Sequence, residues 1–124
     1  MELRNLERGT LLARNCRFAV TFWERFMGLM GKKTFPSSYD GLIFEKCNSI
    51  HCFFMRMKID VIFTDKEGRA VRCFRNLKPW RLAWGGWRST NVIELPPGTL
   101  QASGTRPGDK LELIKDGFFP DTGR

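Results

Sequence analysis

The residues of this 124-residue chain that could carry acid–base chemistry are carboxylates placed inside apolar runs. Asp60 and Glu94 each interrupt a strand-like hydrophobic segment, and two converging carboxylates can act as general acid and base. A hydrolase or carbohydrate-active enzyme would use this pair together with Arg25 or Arg56. A buried, unpaired carboxylate is costly. We therefore also predict a simpler role for Asp60, as a brace paired with Arg25, Arg56 or Lys58.

The chain has one histidine, and it lies close to two of the four cysteines. The series Cys47-x3-His51-Cys52, completed by Cys16 or Cys73, offers the residue types of a zinc site or of a nucleophilic Cys–His pair. Neighbouring residues on a strand point to opposite sides, which argues against both uses. Cys47 and His51 stay a weak metal alternative. The sequence predicts no cofactor, four free thiols, and a histidine beside buried cysteines.

Positive charge is the outlier of the composition. Lysine and arginine number 21 against 13 acidic residues, a net charge of +8 with a pI near 9.8. Such a balance favours anionic partners, including nucleic acid, anionic lipid, acidic polysaccharide or an acidic protein. The segment 66–88 supplies six of those eight charges. Its cations recur at every third residue from Lys66 to Arg81, and Arg88 follows.

Three tryptophans are interleaved with these cations. Arginine forks can grip phosphate or carboxylate while indole rings stack on bases or sugars. The sequence alone slightly favours a simpler interpretation, a solvated hairpin with its tryptophans packed back onto the sheet. A period of three also sends alternate cations to opposite strand faces. The candidate binding residues are Arg56, Lys58, Arg72, Arg75, Lys78, Trp80, Arg81, Trp84 and Trp87.

The elements that must position these residues are one short helix and many short strands. Thr21 and Glu24 form a capping-box pattern ahead of an apolar stripe, which predicts a helix near residues 22–31. Strands are predicted at 11–20, 42–44, 50–57, 59–63, 70–74, 91–95 and 110–114. Residues 77–88 are predicted as a loop, and 98–103 as a single helical turn.

We therefore predict a mainly β (α+β) fold, a small closed or half-closed barrel of about six to seven short strands. Residues 1–124 are predicted as one domain, with a core over about 11–114 and a peripheral tail at 115–124. No apolar run approaches the length of a membrane span, and the N-terminus does not read as a secretory leader. A cytoplasmic location is the expectation.

Five blocks of the sequence follow one another in a recognisable order. They are residues 21–31 (TFWERFMGLMG), 49–65 (SIHCFFMRMKIDVIFTD), 78–81 (KPWR), 92–98 (VIELPPG) and 104–109 (GTRPGD). In this order the blocks resemble domain-of-unknown-function family 192. The similarity extends over about Leu12 to Ile114, with Cys52 and Lys58 standing where that family commonly has Thr and Pro. The resemblance implies a compact, mostly β, barrel-like domain and implies no reaction.

The sequence favours a non-enzymatic binding or accessory module over an enzyme. The basic charge, the Arg/Trp segment and the lack of a recognisable catalytic set or phosphate-binding glycine loop support this preference. The partner is expected to be anionic, with nucleic acid as one candidate, and the oligomeric state is left open.

Overall fold

The structure is a computed structural model that describes residues 1–21, 24–25, 28–52 and 55–115. Within these ranges the chain is mainly β, as predicted, with one complete short helix at Thr99–Ser103. Ten strands are described, more than the predicted six to seven: β1 Glu2–Asn5, β2 Thr10–Ala13, β3 Cys16–Phe18, β4 Gly41–Glu45, β5 Ser49–His51, β6 Ile59–Thr64, β7 Ala70–Leu77, β8 Leu82–Trp84, β9 Asn91–Leu95 and β10 Leu111–Ile114.

The strands form three sheets. The largest has the order β3-β4-β9-β6-β7, the second has the order β10-β1-β2, and the third contains only β5 and β8. All pairs are antiparallel except β3 with β4. A bridge between Arg69 and Lys110 connects the edges of the two larger sheets, and the Cys16 amide donates to the Met1 carbonyl at 2.7 Å. These links do not close the described strands into a barrel, so the closed form of the prediction is not supported.

The inner strand β6 of the large sheet shows where the core lies. All six of its residues are buried, because it lies between β9 and β7 and both of its faces are covered. Successive side chains on a strand point to opposite faces. Val61 and Phe63 accordingly pack into one hydrophobic cluster and Ile62 into another. The second cluster is completed by the three-stranded sheet and by Leu100 of the short helix.

The predicted turns are confirmed. In the β6–β7 hairpin, the Asp65 carboxylate accepts hydrogen bonds from the backbone amides of Glu67 and Arg69, at 2.9 and 3.0 Å. Gly68 follows at a φ of +88°, a conformation that favours glycine. The predicted helical turn forms at Thr99–Ser103, and strand β9 has the predicted bounds.

The capping box before the first helical segment is also confirmed. The Glu24 amide donates to the Thr21 hydroxyl at 3.0 Å, and the Glu24 carboxylate accepts from the Thr21 amide at 3.1 Å. Arg17 pairs with the same carboxylate at 2.7 Å. These backbone and Arg17 hydrogen bonds hold the pKa of Glu24 down at about 2. Glu24 and Arg25 are helical, and residues 22–23 and 26–27 of the predicted helix lie outside the described residues. Residues 28–31 form a turn instead of the predicted end of the helix, because Gly28 and Gly31 both have a positive φ.

Two strand predictions and one loop prediction are corrected, and one strand was not predicted. The predicted strand 11–20 is two strands, β2 and β3, and β1 was not anticipated although Leu3 is buried in the core. The predicted loop 77–88 contains β8, which pairs with β5. The predicted strand 50–57 is the shorter β5, and residues 53–54 lie outside the described residues. None of the helices among the described residues is long and apolar enough to cross a membrane.

Candidate functional site

Glu94 is a buried carboxyl in the middle of the large sheet. It lies on β9 between Leu42 of β4 and Val61 of β6, and only 5% of its surface is exposed. Its Oε1 atom has no hydrogen-bond partner among the described residues. Burial raises the pKa of Glu94 to about 8, because removal from water disfavours the charged form. The side chain is therefore mostly protonated at neutral pH.

The Glu94 side chain faces a cavity of about 120 Å³. Arg25 and His51 also line this cavity, so the predicted Arg25 shares a cavity with Glu94, whereas Asp60 is bonded to backbone amides. The Arg25 guanidinium carbon lies 5.9 Å from the centre of the Phe44 ring, which forms part of the apolar wall. The cavity thus combines a buried carboxyl, a cation and a histidine within hydrophobic walls.

The cysteines are free, as predicted. Cys47 lines the Glu94 cavity, where its thiol donates to the Ser49 carbonyl at 3.0 Å. Burial raises the pKa of Cys52 to about 12 and that of Cys73 to about 11, so both stay protonated and poorly nucleophilic. No group of three or more metal-ligating side chains occurs within the described ranges. His51 is exposed, although the next residue, Cys52, is buried.

Asp60 lies on the opposite face of the sheet from Glu94. Its register partner on β9 is Leu95, whereas Glu94 pairs with Val61, so the two carboxylates point away from each other. Asp60 is fully buried and accepts hydrogen bonds from two backbone amides, that of Leu100 at 2.8 Å and that of Asn76 at 2.9 Å. It is a structural brace, but backbone amides and not the predicted Arg25, Arg56 or Lys58 hold it.

An exposed aromatic surface is the second candidate site. We name the exposed side chains of Trp80, Leu82, Trp84 and Trp87 the tryptophan surface. They are 56%, 72%, 42% and 90% exposed, respectively. The expectation that the tryptophans pack back onto the sheet is therefore wrong. The alternation of β8 explains the arrangement, since Ala83 faces the core while its two neighbours face outward.

Arg72 joins the basic segment to the tryptophan surface. The Arg72 guanidinium carbon lies 5.7 Å from the centre of the Trp84 ring. The Arg72 Nη1 atom donates a hydrogen bond to the Trp84 carbonyl at 3.2 Å. Trp84 and Trp87 meet edge to face with their ring centres 5.2 Å apart. These contacts hold Trp84 in place while leaving much of the Trp87 ring in solvent.

Gly85 and Gly86 allow the loop between these two tryptophans to lie against the core. A Cβ atom at Gly85 would stand 2.3 Å from Phe63 and 2.6 Å from the Ser89 hydroxyl, so only glycine fits there. Gly86 adopts a φ of +97°, which a side chain would strain. The Gly-Gly pair read from the sequence as a loop breaker thus positions Trp84 and Trp87.

The remaining cations of the segment do not form one row. Arg69 turns toward the three-stranded sheet, where it contacts Glu7 at 3.3 Å and the Gly108 carbonyl at 3.0 Å, while Arg72 turns to Trp84. This agrees with the expected division of a period-three pattern between two faces. The other candidate cations are exposed: Arg56, Lys58, Arg75, Lys78, Arg81 and Arg88.

Sequence reasoning missed Leu82 on the tryptophan surface and Ser49 in the cavity wall. The alternation Leu82-Ala83-Trp84 was the signal for an outward-facing pair on a strand. It was overlooked because a strand of three residues is too short to show a period.

Fold and sites together define a mainly β protein with a buried carboxyl in a cavity and an exposed basic, aromatic surface. Residues 4–113 match the model of the DUF192 family, described as "Uncharacterized ACR". The chain therefore belongs to the DUF192 family, and the resemblance drawn from its motifs is confirmed.

Two similar curated proteins are named only as UPF0127 proteins. The chain is 36% identical over 110 residues to the UPF0127 protein PF1050 of Pyrococcus furiosus, covering 87% of this chain and 94% of that protein. It is 40% identical over 98 residues to the UPF0127 protein PH1112 of Pyrococcus horikoshii, covering 77% and 84%. A crystal structure of a protein of unknown function from Novosphingobium aromaticivorans has a similar fold, with a TM-score of 0.70 at 21% identity over 90% of this chain and 82% of that one.

Proposed function

We propose that this protein is a binding module that recognises single-stranded nucleic acid through the tryptophan surface and the cations beside it. The single observation that carries the proposal is the exposure of all three predicted tryptophans. Burying an indole is strongly favourable, so a folded protein that leaves Trp87 almost wholly in solvent, and Trp80 and Trp84 about half exposed, presents the kind of apolar surface that commonly marks a binding site.

The positive charge and the exposed indole rings favour single-stranded nucleic acid as the partner. Each base has a flat face that can stack on an indole, and such stacking contributes about 1–3 kcal/mol per base. The phosphates would lie near cations of the segment 66–88, and the net charge of +8 favours an anionic polymer over a neutral one. Bases in a duplex are already stacked and unavailable to the indoles, so the single strand is the preferred form.

A carboxylate-pair enzyme receives no support from the geometry. Asp60 and Glu94 point to opposite faces of one sheet, and the Asp60 oxygens already accept two amide hydrogen bonds. A non-enzymatic role stays our prediction, as does the cytoplasmic location expected from the sequence.

Fluorescence anisotropy with a labelled single-stranded oligonucleotide of about 12 nucleotides, within the range that small binding domains cover, tests the proposal. We expect saturable binding whose affinity falls steeply between low and high salt, because counterions are released from the phosphates. Trp87→Ala should weaken binding by about fivefold or more, which corresponds to one lost stacking contact.

Matched variants give the controls. Arg81→Gln, next to Trp80, should weaken binding and reduce the salt dependence, whereas Arg14→Gln, an exposed arginine on the β2–β3 connection, should leave both nearly unchanged. Val20→Ala removes an exposed apolar side chain outside the tryptophan surface and controls for Trp87→Ala. A flat salt response would contradict the proposal. Binding to phosphatidylserine vesicles without binding to the oligonucleotide would contradict it as well.

A further inference from the structure

The Glu94 cavity is a second site, with chemistry different from that of the tryptophan surface. A buried polar atom normally has a hydrogen-bond partner, and an exception in a folded protein calls for a reason. Glu94 Oε1 is such an exception among the described residues, and the side chain lies in the wall of a cavity rather than in close-packed core. A ligand that fills the cavity would supply the missing partner.

We infer that the cavity binds a small monocarboxylate, with one ligand oxygen hydrogen-bonded to the unpartnered Glu94 carboxyl and the ligand charge facing Arg25. A protonated carboxyl can donate a hydrogen bond to the ligand carboxylate. Hydrogen bonds to an ionised acceptor are about twice as strong as those between neutral groups. The inference does not depend on nucleic-acid binding.

The charges around the cavity favour an anion over a cation. Arg25 lines the cavity and carries a permanent positive charge. The imidazole of His51 also lies in the cavity wall. Among the described residues that line the cavity, Glu94 is the only acidic one, and Glu24, which acts on Tyr39 together with Glu94, is paired with Arg17 at 2.7 Å. Tyr39 and Cys52 lie within electrostatic reach of Glu94, and burial raises the pKa of both, so they stay neutral near pH 7. An ammonium ligand would therefore be repelled by Arg25 and would have only the Glu94 carboxyl as a partner.

The size and lining of the cavity limit the rest of the ligand. A protein cavity of about 150 Å³ holds one benzene molecule, so a volume of 120 Å³ fits a ligand of at most about six non-hydrogen atoms. The walls formed by Leu29, Phe44 and Met55 are apolar. A short aliphatic carboxylate such as butyrate matches both the volume and the polarity.

Isothermal titration calorimetry with sodium butyrate at pH 7 tests the inference, with butylamine and butanol as probes of the same length. We expect saturable binding of butyrate, binding of butanol that is at least about tenfold weaker, and none of butylamine. Butyrate affinity should fall as the pH rises past about 8, because ionised Glu94 then repels the ligand. Absence of saturable butyrate binding, or preferential binding of butylamine, would overturn the inference.

Variants connect the signal to this cavity. Glu94→Gln keeps the shape and a donor but cannot ionise, so butyrate should bind it about tenfold more weakly and with no change across pH 7–9. Arg25→Gln should also weaken binding. Glu112→Gln, an exposed glutamate on β10, is the matched control and should leave the titration unchanged. Wild-type affinity and pH dependence in Glu94→Gln would place the butyrate elsewhere and overturn the inference.

Discussion

At the scale of single residues, Asp60 and Glu94 are both buried, and the protein compensates the burial of each carboxyl in a different way. Burial of a charged carboxylate costs several kcal/mol unless hydrogen bonds or cations compensate. Asp60 receives two amide hydrogen bonds, whereas Glu94 takes up a proton, with a pKa of about 8. Asp60 therefore stabilises the fold, whereas Glu94 keeps an oxygen without a hydrogen-bond partner among the described residues beside a cavity.

The raised pKa of Glu94 predicts a stability that depends on pH. The folded state holds the proton more tightly than the unfolded state, whose glutamate pKa is about 4.5. The free energy of unfolding is therefore highest below pH 4.5 as far as Glu94 is concerned, and falls as the pH rises from 4.5 to about 8. The limiting slope is about 1.4 kcal/mol per pH unit.

Urea denaturation of Glu94→Gln at pH 5, 7 and 9 measures this effect. The glutamine resembles the protonated carboxyl, so the variant should gain stability over the native protein as the pH rises, and the difference should level off above about pH 8. Glu112→Gln should show no such trend. A constant difference between Glu94→Gln and the native protein would show that Glu94 is not the titrating group.

At the scale of elements, Asp60 connects three of them. It belongs to β6, and its two carboxylate oxygens accept amides from Asn76 of β7 and from Leu100 in the short helix. That helix has only five residues and no side-chain cap at its N-terminus, so it depends on tertiary contacts. Leu100 then contributes its buried side chain to the second hydrophobic cluster.

Asp60→Asn should destabilise the protein by about 1–3 kcal/mol. The asparagine carbonyl can accept one amide, but its NH2 group would face the other, so one buried donor loses its partner. The midpoint of urea denaturation measures the loss, and Glu112→Gln serves again as the control for removing one charge. An unchanged midpoint in Asp60→Asn would contradict the role of a brace.

At the scale of the whole molecule, covered and uncovered apolar groups are sharply separated. The large sheet has both faces packed, by the two hydrophobic clusters, so large side chains such as Phe63 are fully buried. The tryptophan surface lies outside these clusters. The fold therefore does not need the exposed Trp87 ring for its core, which leaves that side chain available for a partner.

Paired substitutions check this separation. Trp87→Ala should change the free energy of unfolding by less than about 0.5 kcal/mol, because 90% of the side chain is in solvent. Phe63→Ala should cost about 3–5 kcal/mol through lost burial and a cavity. Thermal or urea denaturation of both variants measures the contrast. A large loss of stability in Trp87→Ala would show that the tryptophan surface is structural.

Local hydrogen bonds made the helix cap and the hairpin turn predictable from the sequence. The Thr21–Glu24 cap and the Asp65–Gly68 hairpin were predicted because their hydrogen bonds join residues close in the chain. The tryptophan surface was only half predicted: the residues were singled out, but their exposure was expected to be lost. A strand as short as β8 has too little periodicity to reveal which of its sides faces solvent.

What the sequence by itself determined is the family, the mainly β character, the local caps and turns, and the residues worth examining. Only the tertiary structure decided that Asp60 and Glu94 diverge, that Arg25 and His51 line one cavity with Glu94, and that the tryptophans stay in solvent. The physical reason is strand register. A shift of one residue moves a side chain to the other face of a sheet, and register is set by pairing between segments far apart in the chain.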